Sequence, residues 1–227
     1  MKRTSRNLFN ALAWYLTPFY RRSYSQCGED LIIAFLFKQL GITRPTYVDI
    51  GANDPVVYSN TYGSYRASGH GFLVEPNPAL AKRLRRTRPR DTVIEAGVGV
   101  ESGTLPLYIM KNDALSTFSA EESDRLQSQG YALSRTLEVP LMTVSELCKR
   151  YNIARPDLLS LDIEGLDLAV LRTVDFETFR PRIICVETNH VGTQPGESSP
   201  ISTLLHAQHY RTAAMTPVNM LFVDERL

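Results

Sequence analysis

Apolar residues in this chain come in short continuous runs, separated by longer segments where they recur every three or four positions. The runs TYVDI (46–50), GFLVEP (71–76), TVIEAGVGV (92–100), DLLSLDIEG (157–165) and RIICVETNH (182–190) read as strands buried on both faces. Between them lie ALAKRLRRTR, VSELCKRY and LDLAVLRTV, whose spacing is helical. Start signals agree: Asp54-Pro55, Asn77-Pro78 and Ser199-Pro200 pair an N-cap with proline at the first helical position, and Thr143 with Glu146 spells a capping box. SYSQCGEDLIIAFLFKQLG (23–41) predicts a helix that opens on Glu29 and Asp30 and stops at Gly41. TLPLYIM follows a Glu101-Ser102-Gly103 turn as an antiparallel strand, while YRTAAM and NMLFVDE fit a closing hairpin. The pattern is α/β and doubly wound, with a mostly parallel sheet.

Length and composition bound this picture. A chain of 227 residues with 43% apolar content supports one domain with a real core. A formal net charge of +1 argues against a general nucleic-acid binder. Cys27, Cys148 and Cys185 match no zinc spacing; Cys148 and Cys185 read as buried thiols, and the odd count suits a reducing cytoplasm. LFNALAWYLTPFY (8–20), flanked by basic residues, is too short to span a membrane and lacks a secretory cleavage site. Its apolar face either packs on protein, including a second subunit, or makes peripheral membrane contact. Residues 1–22 are accordingly set apart as a leader from a domain at 23–227, with 23–45 as its helical cap.

Ligands of such sheets sit beyond the carboxyl ends of the strands. Asp49, Glu75, Glu95, Asp162 and Glu187 all lie at or near those ends. Glu75 stands where a nucleotide fold places its ribose-binding acid, and it disfavours a 2′-phosphate; capping the next helix is its alternative role. The turn GANDPV holds one glycine where dinucleotide loops carry three. Asn53 and Asp54 would crowd a pyrophosphate, whereas S-adenosylmethionine presents no phosphate, with Asp49 near its amino end and Gly51 admitting close approach.

SYSQCGEDL, YVDIGANDPVVYSNTY, GFLVEPNP, DALSTF and LLSLDIEGLDLAVLR, in this order, resemble the motifs of FkbM-type S-adenosylmethionine-dependent methyltransferases over about residues 23–190. The resemblance implies a class I methyltransferase fold: a seven-stranded sheet closed by the C-terminal hairpin. It also implies O-methylation of a sugar, glycoconjugate or natural-product hydroxyl. Carried over by position, Asp49, Gly51 and Asn53 would contact the methionine part and Glu75 the ribose, with Pro76 a further cofactor contact. Gly97 and Val98, within the stretch from Glu95, would lie by adenine unless EAGVGV is an ordinary strand end.

DIEG (162–165) is the expected chemical centre, with Asp162 counted among the cofactor contacts as well. A hydroxyl is a poor nucleophile, so a base helps, and Asp162, Glu164 and His190 are the candidates. A carboxylate that fixes the loop backbone is the plainer role for Asp162, and a structural one for His190. Asp162, Glu164, Glu187 and His190 offer metal-ligand chemistry, but no spacing demands a metal and none is assigned. Ser25, Gln26, Glu29 and Asp30 either cap the first helix or cover the site. DALST (113–117), Tyr58 and Asn60 are further candidates to face it. His206 and His209 read as surface residues. KRLRRTRPR (82–90), six basic residues in nine, reads as a solvated helix face rather than an anion or membrane site. The rivals are an NAD-dependent oxidoreductase or epimerase, disfavoured by the missing glycines and the lack of a Tyr-x-x-x-Lys pair, and a non-catalytic binding protein of the same fold.

Overall fold

A computed structural model of the chain describes residues 21–112, 115–163, 165–188 and 199–227. The predicted leader lies, but for Arg21 and Arg22, outside the described residues, as do Asp113, Ala114, Glu164 and His190. In chain order the elements begin with α1 (Glu29–Gln39), β1 (Thr46–Ile50), α2 (Tyr62–Arg66), β2 (His70–Val74), α3 (Pro78–Thr87) and β3 (Thr92–Ile94). Then come β4 (Gly97–Val98), β5 (Gly103–Met110), α4 (Ala120–Ser128), β6 (Leu133–Met142) and α5 (Val144–Tyr151). The chain closes with β7 (Leu158–Leu161), α6 (Asp167–Leu171), β8 (Ile183–Glu187), α7 (Pro200–Ala207), β9 (Tyr210–Met215) and β10 (Asn219–Asp224).

The main sheet has seven strands in the order β3-β2-β1-β7-β8-β10-β9. Strands β1, β2, β3, β7 and β8 pair in parallel, and β10 runs antiparallel to both of its neighbours, which is the expected C-terminal hairpin. Each strand alternates between two cores. Val48, Ile50, Leu159, Leu161, Ile184 and Val186 face one, with α5, α6 and α7. Tyr47, Leu158, Ile183 and Cys185 face the other, with α1, α2 and Leu84 of α3. The strand order reverses beside β1, which lies between β2 and β7, so a crevice opens there at the strands' carboxyl ends.

Local signals and structure differ at four places. Asp54 does accept hydrogen bonds from the amides of Val56 and Val57, yet no helix follows, and α2 begins only at Tyr62. The third strand breaks after Ile94, and Gly97–Val98 joins a second sheet, β4-β6-β5. Within that sheet, β5 is antiparallel as expected, but its partner β6 and the intervening α4 were not read from the sequence. Finally, Arg88 in the basic run is fully buried rather than solvated.

Arg88 lies one helical turn beyond Leu84, on the apolar face of α3. Its guanidinium pairs with Asp91 at 2.7 Å, donates to Thr61 and Ser59, and stands over the rings of Tyr47 and Tyr65. Asp91 in turn accepts from the Tyr47 hydroxyl and the Gly71 amide. Arg85, by contrast, pairs with Glu95 at the surface. Removing one partner of a buried pair strands the other charge. Arg88→Ala should therefore cost about 3–5 kcal/mol in denaturant unfolding, and Arg85→Ala less than about 1 kcal/mol. Equal costs would show that Arg88 is no keystone.

Candidate active site

The crevice is built on the turn after β1. Gly51 has φ +84°, and a Cβ at this position would collide with the carbonyl oxygen of Asp162. Its backbone is held from both sides: the Gly51 and Ala52 amides donate to the Val74 carbonyl, and the Asp162 amide donates to the Ile50 carbonyl. The Asn53 amide donates to Glu75 Oε2 at 2.9 Å. Every backbone N–H from 51 to 53 is thus bonded within the protein.

Beyond this turn lies a cavity of about 420 Å³. Gly51 and Asn53 form one wall, and Glu75, Pro76 and Asn77, which follow β2, form the next. Asp162 and Ile163 close a third side, while Leu105, Leu107 and Phe118 come from the second sheet and its loop. Gly97 gives the loop room, since a Cβ there would come within 2.7 Å of the Phe118 ring. No Lys, Arg or His is among the described residues lining the cavity.

Glu75 is buried, and its oxygens each accept a backbone N–H, Oε2 from Asn53 and Oε1 from Asn77. Glu75 thus fixes the start of α3, the capping role expected as its alternative, and it also lines the cavity. The Asn77 side chain caps α3, and its Nδ2 has no hydrogen-bond partner.

Opposite Glu75, the carboxyl groups of Asp162 and Glu187 are hydrogen-bonded to each other at the ends of β7 and β8. Burial, and then the charge of Glu187 and of Asp167, push the Asp162 carboxyl up to about 8. Like charges this close cannot both ionise in a dry site, so the two share a proton. Asp167, buried at the start of α6, accepts from the amides of Ile163 and Gly165. The loop-fixing carboxylate is thus Asp167, two residues past DIEG, rather than Asp162.

The structure brings Gly51, Asn53, Glu75, Pro76, Gly97 and Asp162 together around the cavity. Asp49 and Val98 are not among its lining residues. Asp49 shares the face of Tyr47, so its carboxylate is buried on the other side of the sheet, where it accepts from Thr61 and Ser160 near Arg88. Burial pushes its carboxyl up, against the opposing pull of Arg88. Val98 points into the core with Ile94 and Met142. Of the segment around Ser25, Glu29 is buried and accepts from Thr216, Asn219 and the Cys27 amide, while Asp30 accepts from Ser23, Ser25 and the Tyr24 amide. Glu29 thus ties the cap to the β9–β10 hairpin, and Asp30 holds residues 23–25 against the start of α1. Asn60 lies within reach of Ser160, and Tyr58 is solvent-exposed. His206 and His209 are exposed as expected. The sequence pattern singled out Glu187 only as a strand-end acid and did not point to Asn77 or Asp167 as site residues; for Asn77 the signal, its place two residues after Glu75, was present.

Residues 49–212 match the family model of the methyltransferase FkbM domain. No curated protein matches the chain. Solved structures to which the chain is similar include an O-methyltransferase from Bacillus cereus in complex with SAH (12% identity, 99% of this chain and 92% of that one, TM-score 0.44). Another is a TehB-like SAM-dependent methyltransferase from Corynebacterium glutamicum (7%, 98% and 100%, TM-score 0.46). A third is magnesium protoporphyrin IX methyltransferase from Synechocystis with bound SAM (9%, 87% and 78%, TM-score 0.46).

The Asp162 proton has a measurable consequence. Asp162 holds it more tightly folded than unfolded, so the folded state carries the excess proton between the ordinary carboxyl value of 3.8 and about 8. Its contribution to stability is complete in acid and is lost as pH rises through that window. Asp162→Asn should flatten this fall and raise stability at pH 8 by at least ~1 kcal/mol, read from thermal melts across the pH range. An unchanged pH slope would assign the proton elsewhere.

Proposed function

The chain belongs to the FkbM methyltransferase family, whose cofactor is S-adenosylmethionine, and we propose that it methylates a hydroxyl of a sugar, glycoconjugate or related natural product. The observation that carries the proposal is Asp162 at the cavity wall, hydrogen-bonded to Glu187 behind it. A hydroxyl needs a proton acceptor when it attacks, and the best acceptor titrates near the working pH. Asp162, pushed up to about 8, meets that requirement without a histidine. It is the base in this reading; Glu164 and His190 lie outside the described residues.

The cofactor fits the residues around the cavity. When bound, it supplies a methyl group activated on a sulfonium. Glu75 offers carboxylate lone pairs to the ribose hydroxyls, a charge-assisted contact. Gly51 and Asn53 border the methionine end, Gly97 and Pro76 the adenine and ribose, and Asp49 supports the turn from behind. A pyrophosphate is disfavoured on two counts: the amides of 51 to 53 are already bonded, and no basic side chain is among the described lining residues. An NAD-dependent enzyme is therefore the weaker reading. Among the described residues no helix is long and apolar enough to cross a membrane. The free cysteines support a cytoplasmic location.

Calorimetry with S-adenosylmethionine, S-adenosylhomocysteine and NAD tests the cofactor; the first two should bind and NAD should not. Glu75→Ala should weaken that binding by about 1–3 kcal/mol. Release of S-adenosylhomocysteine with a panel of free sugars as acceptors tests the reaction. Turnover should rise with pH through about 8, as the acid pair loses its proton, and should fall about 100-fold or more in Asp162→Asn. Transfer to amine acceptors alone would overturn the O-methylation reading.

A further inference from the structure

Asn77 carries two polar atoms on one side chain, and the fold uses only one of them. Its Oδ1 accepts from the Ala79 amide at 3.0 Å and so caps α3. That bond also fixes which way the amide faces, because the reversed orientation would set NH₂ against N–H. The Asn77 backbone is held as well, its N–H donating to Glu75 Oε1 at 2.8 Å. What remains is Nδ2, a buried donor with no partner, on a residue only 2% exposed.

An unpaired buried donor costs about 1–3 kcal/mol, and folded proteins seldom keep one idle. Capping does not explain it, because serine or aspartate caps a helix as well and brings no spare N–H. The residue borders the cavity beside Glu75, with Leu80 and Pro76 as its apolar neighbours there. The Leu80 side chain and the Pro76 ring offer no acceptor and no protein atom pairs with Nδ2, so the donor is left for whatever fills the space.

We propose that Asn77 is a cofactor-binding residue, its Nδ2 donating to an acceptor atom on the nucleoside of S-adenosylmethionine. The assignment rests on reading Glu75 as the ribose partner. Glu75 accepts only, so it takes protons from the ribose hydroxyls and leaves their oxygens, and the ring nitrogens of the base, in need of a donor. Asn77, two residues on and in the same wall, supplies the complementary half. Together they read donors and acceptors of one nucleoside, and the amide adds no charge beside the carboxylate.

Two substitutions separate this function from the cap. Asn77→Ser and Asn77→Asp both keep a capping oxygen and remove Nδ2, the serine hydroxyl ending one bond short of it; the ligand-free Asn77→Ser protein should melt close to the wild type, and Asn77→Asp lower by the charge it adds beside Glu75. The Kd for S-adenosylhomocysteine, measured by calorimetry, should rise about tenfold in each, the scale of one lost hydrogen bond in a dry site. Adenosine, titrated as a competitor, should lose affinity by a similar factor, since the contact is on the nucleoside. Unchanged affinity in either folded variant, or a loss for S-adenosylhomocysteine without one for adenosine, would overturn the assignment. If the wild-type chain bound no S-adenosylhomocysteine, the cofactor reading itself would fall and the role of Asn77 with it; wild-type binding with unchanged variants sinks the role of Asn77 alone.

Discussion

The site depends on the absence of a single carbon. At position 51 a side chain would run into the Asp162 carbonyl, so only glycine lets the end of β1 lie against the end of β7. That contact occurs where the strand order reverses, and everything at the crevice is hung from it. The turn after Gly51 is thereby placed so that the Asn53 amide reaches Glu75, and Asp162 is held across the cavity from that carboxylate. The glycine that gives the turn its nucleotide-like appearance serves the packing of two strands. Close approach to a ligand is at most its second use.

Much of the fold was legible because its signals are local. Asn77, Thr143 and Ser199 each cap the helix that the sequence pattern assigns to them, since a capping bond needs only neighbours two or three residues away. Asp54 shows the limit of the same logic. Its carboxylate binds the next two amides as a cap does, but residues 56–61 do not extend the turn, and Tyr58 even adopts φ +59°. Starting a helix and propagating one are separate events. The second sheet did carry a local signal, the alternation of Leu133, Leu137, Val139 and Leu141 with polar neighbours in β6, but Pro140 within that run argues against a strand.

The site was half legible, and the misses follow from period rather than from chemistry. Strand alternation sends Asp49 to the side of Tyr47, away from the cavity, although its neighbour Gly51 borders it. The helical period puts Arg88 in line with Leu80 and Leu84, so the inward cation of the basic run was present in the spacing. What spacing does not contain is tertiary. Nothing local pairs Asp162 with Glu187, because they come together only when β7 and β8 align in parallel. The same alignment, through the Asn219–Glu187 register, brings the cap residue Glu29 to this edge.

Charge then decides what kind of ligand such a crevice tolerates. Glu75 and Asp162 line it, Glu187 and Asp167 stand behind Asp162, and no cation is among the described lining residues. Arg88, the buried cation nearby, is committed to Asp91 and to the Asp49 side of the sheet. An anionic ligand would add to the repulsion that already forces a shared proton at Asp162, and would meet no free backbone donor at the turn. A cationic ligand does the reverse: it relieves that repulsion and draws the Asp162 carboxyl back towards its ionised form. The electrostatics of the walls and the hydrogen bonding of the turn are independent properties of the chain, and both favour a nucleoside that carries a positive charge in place of phosphate.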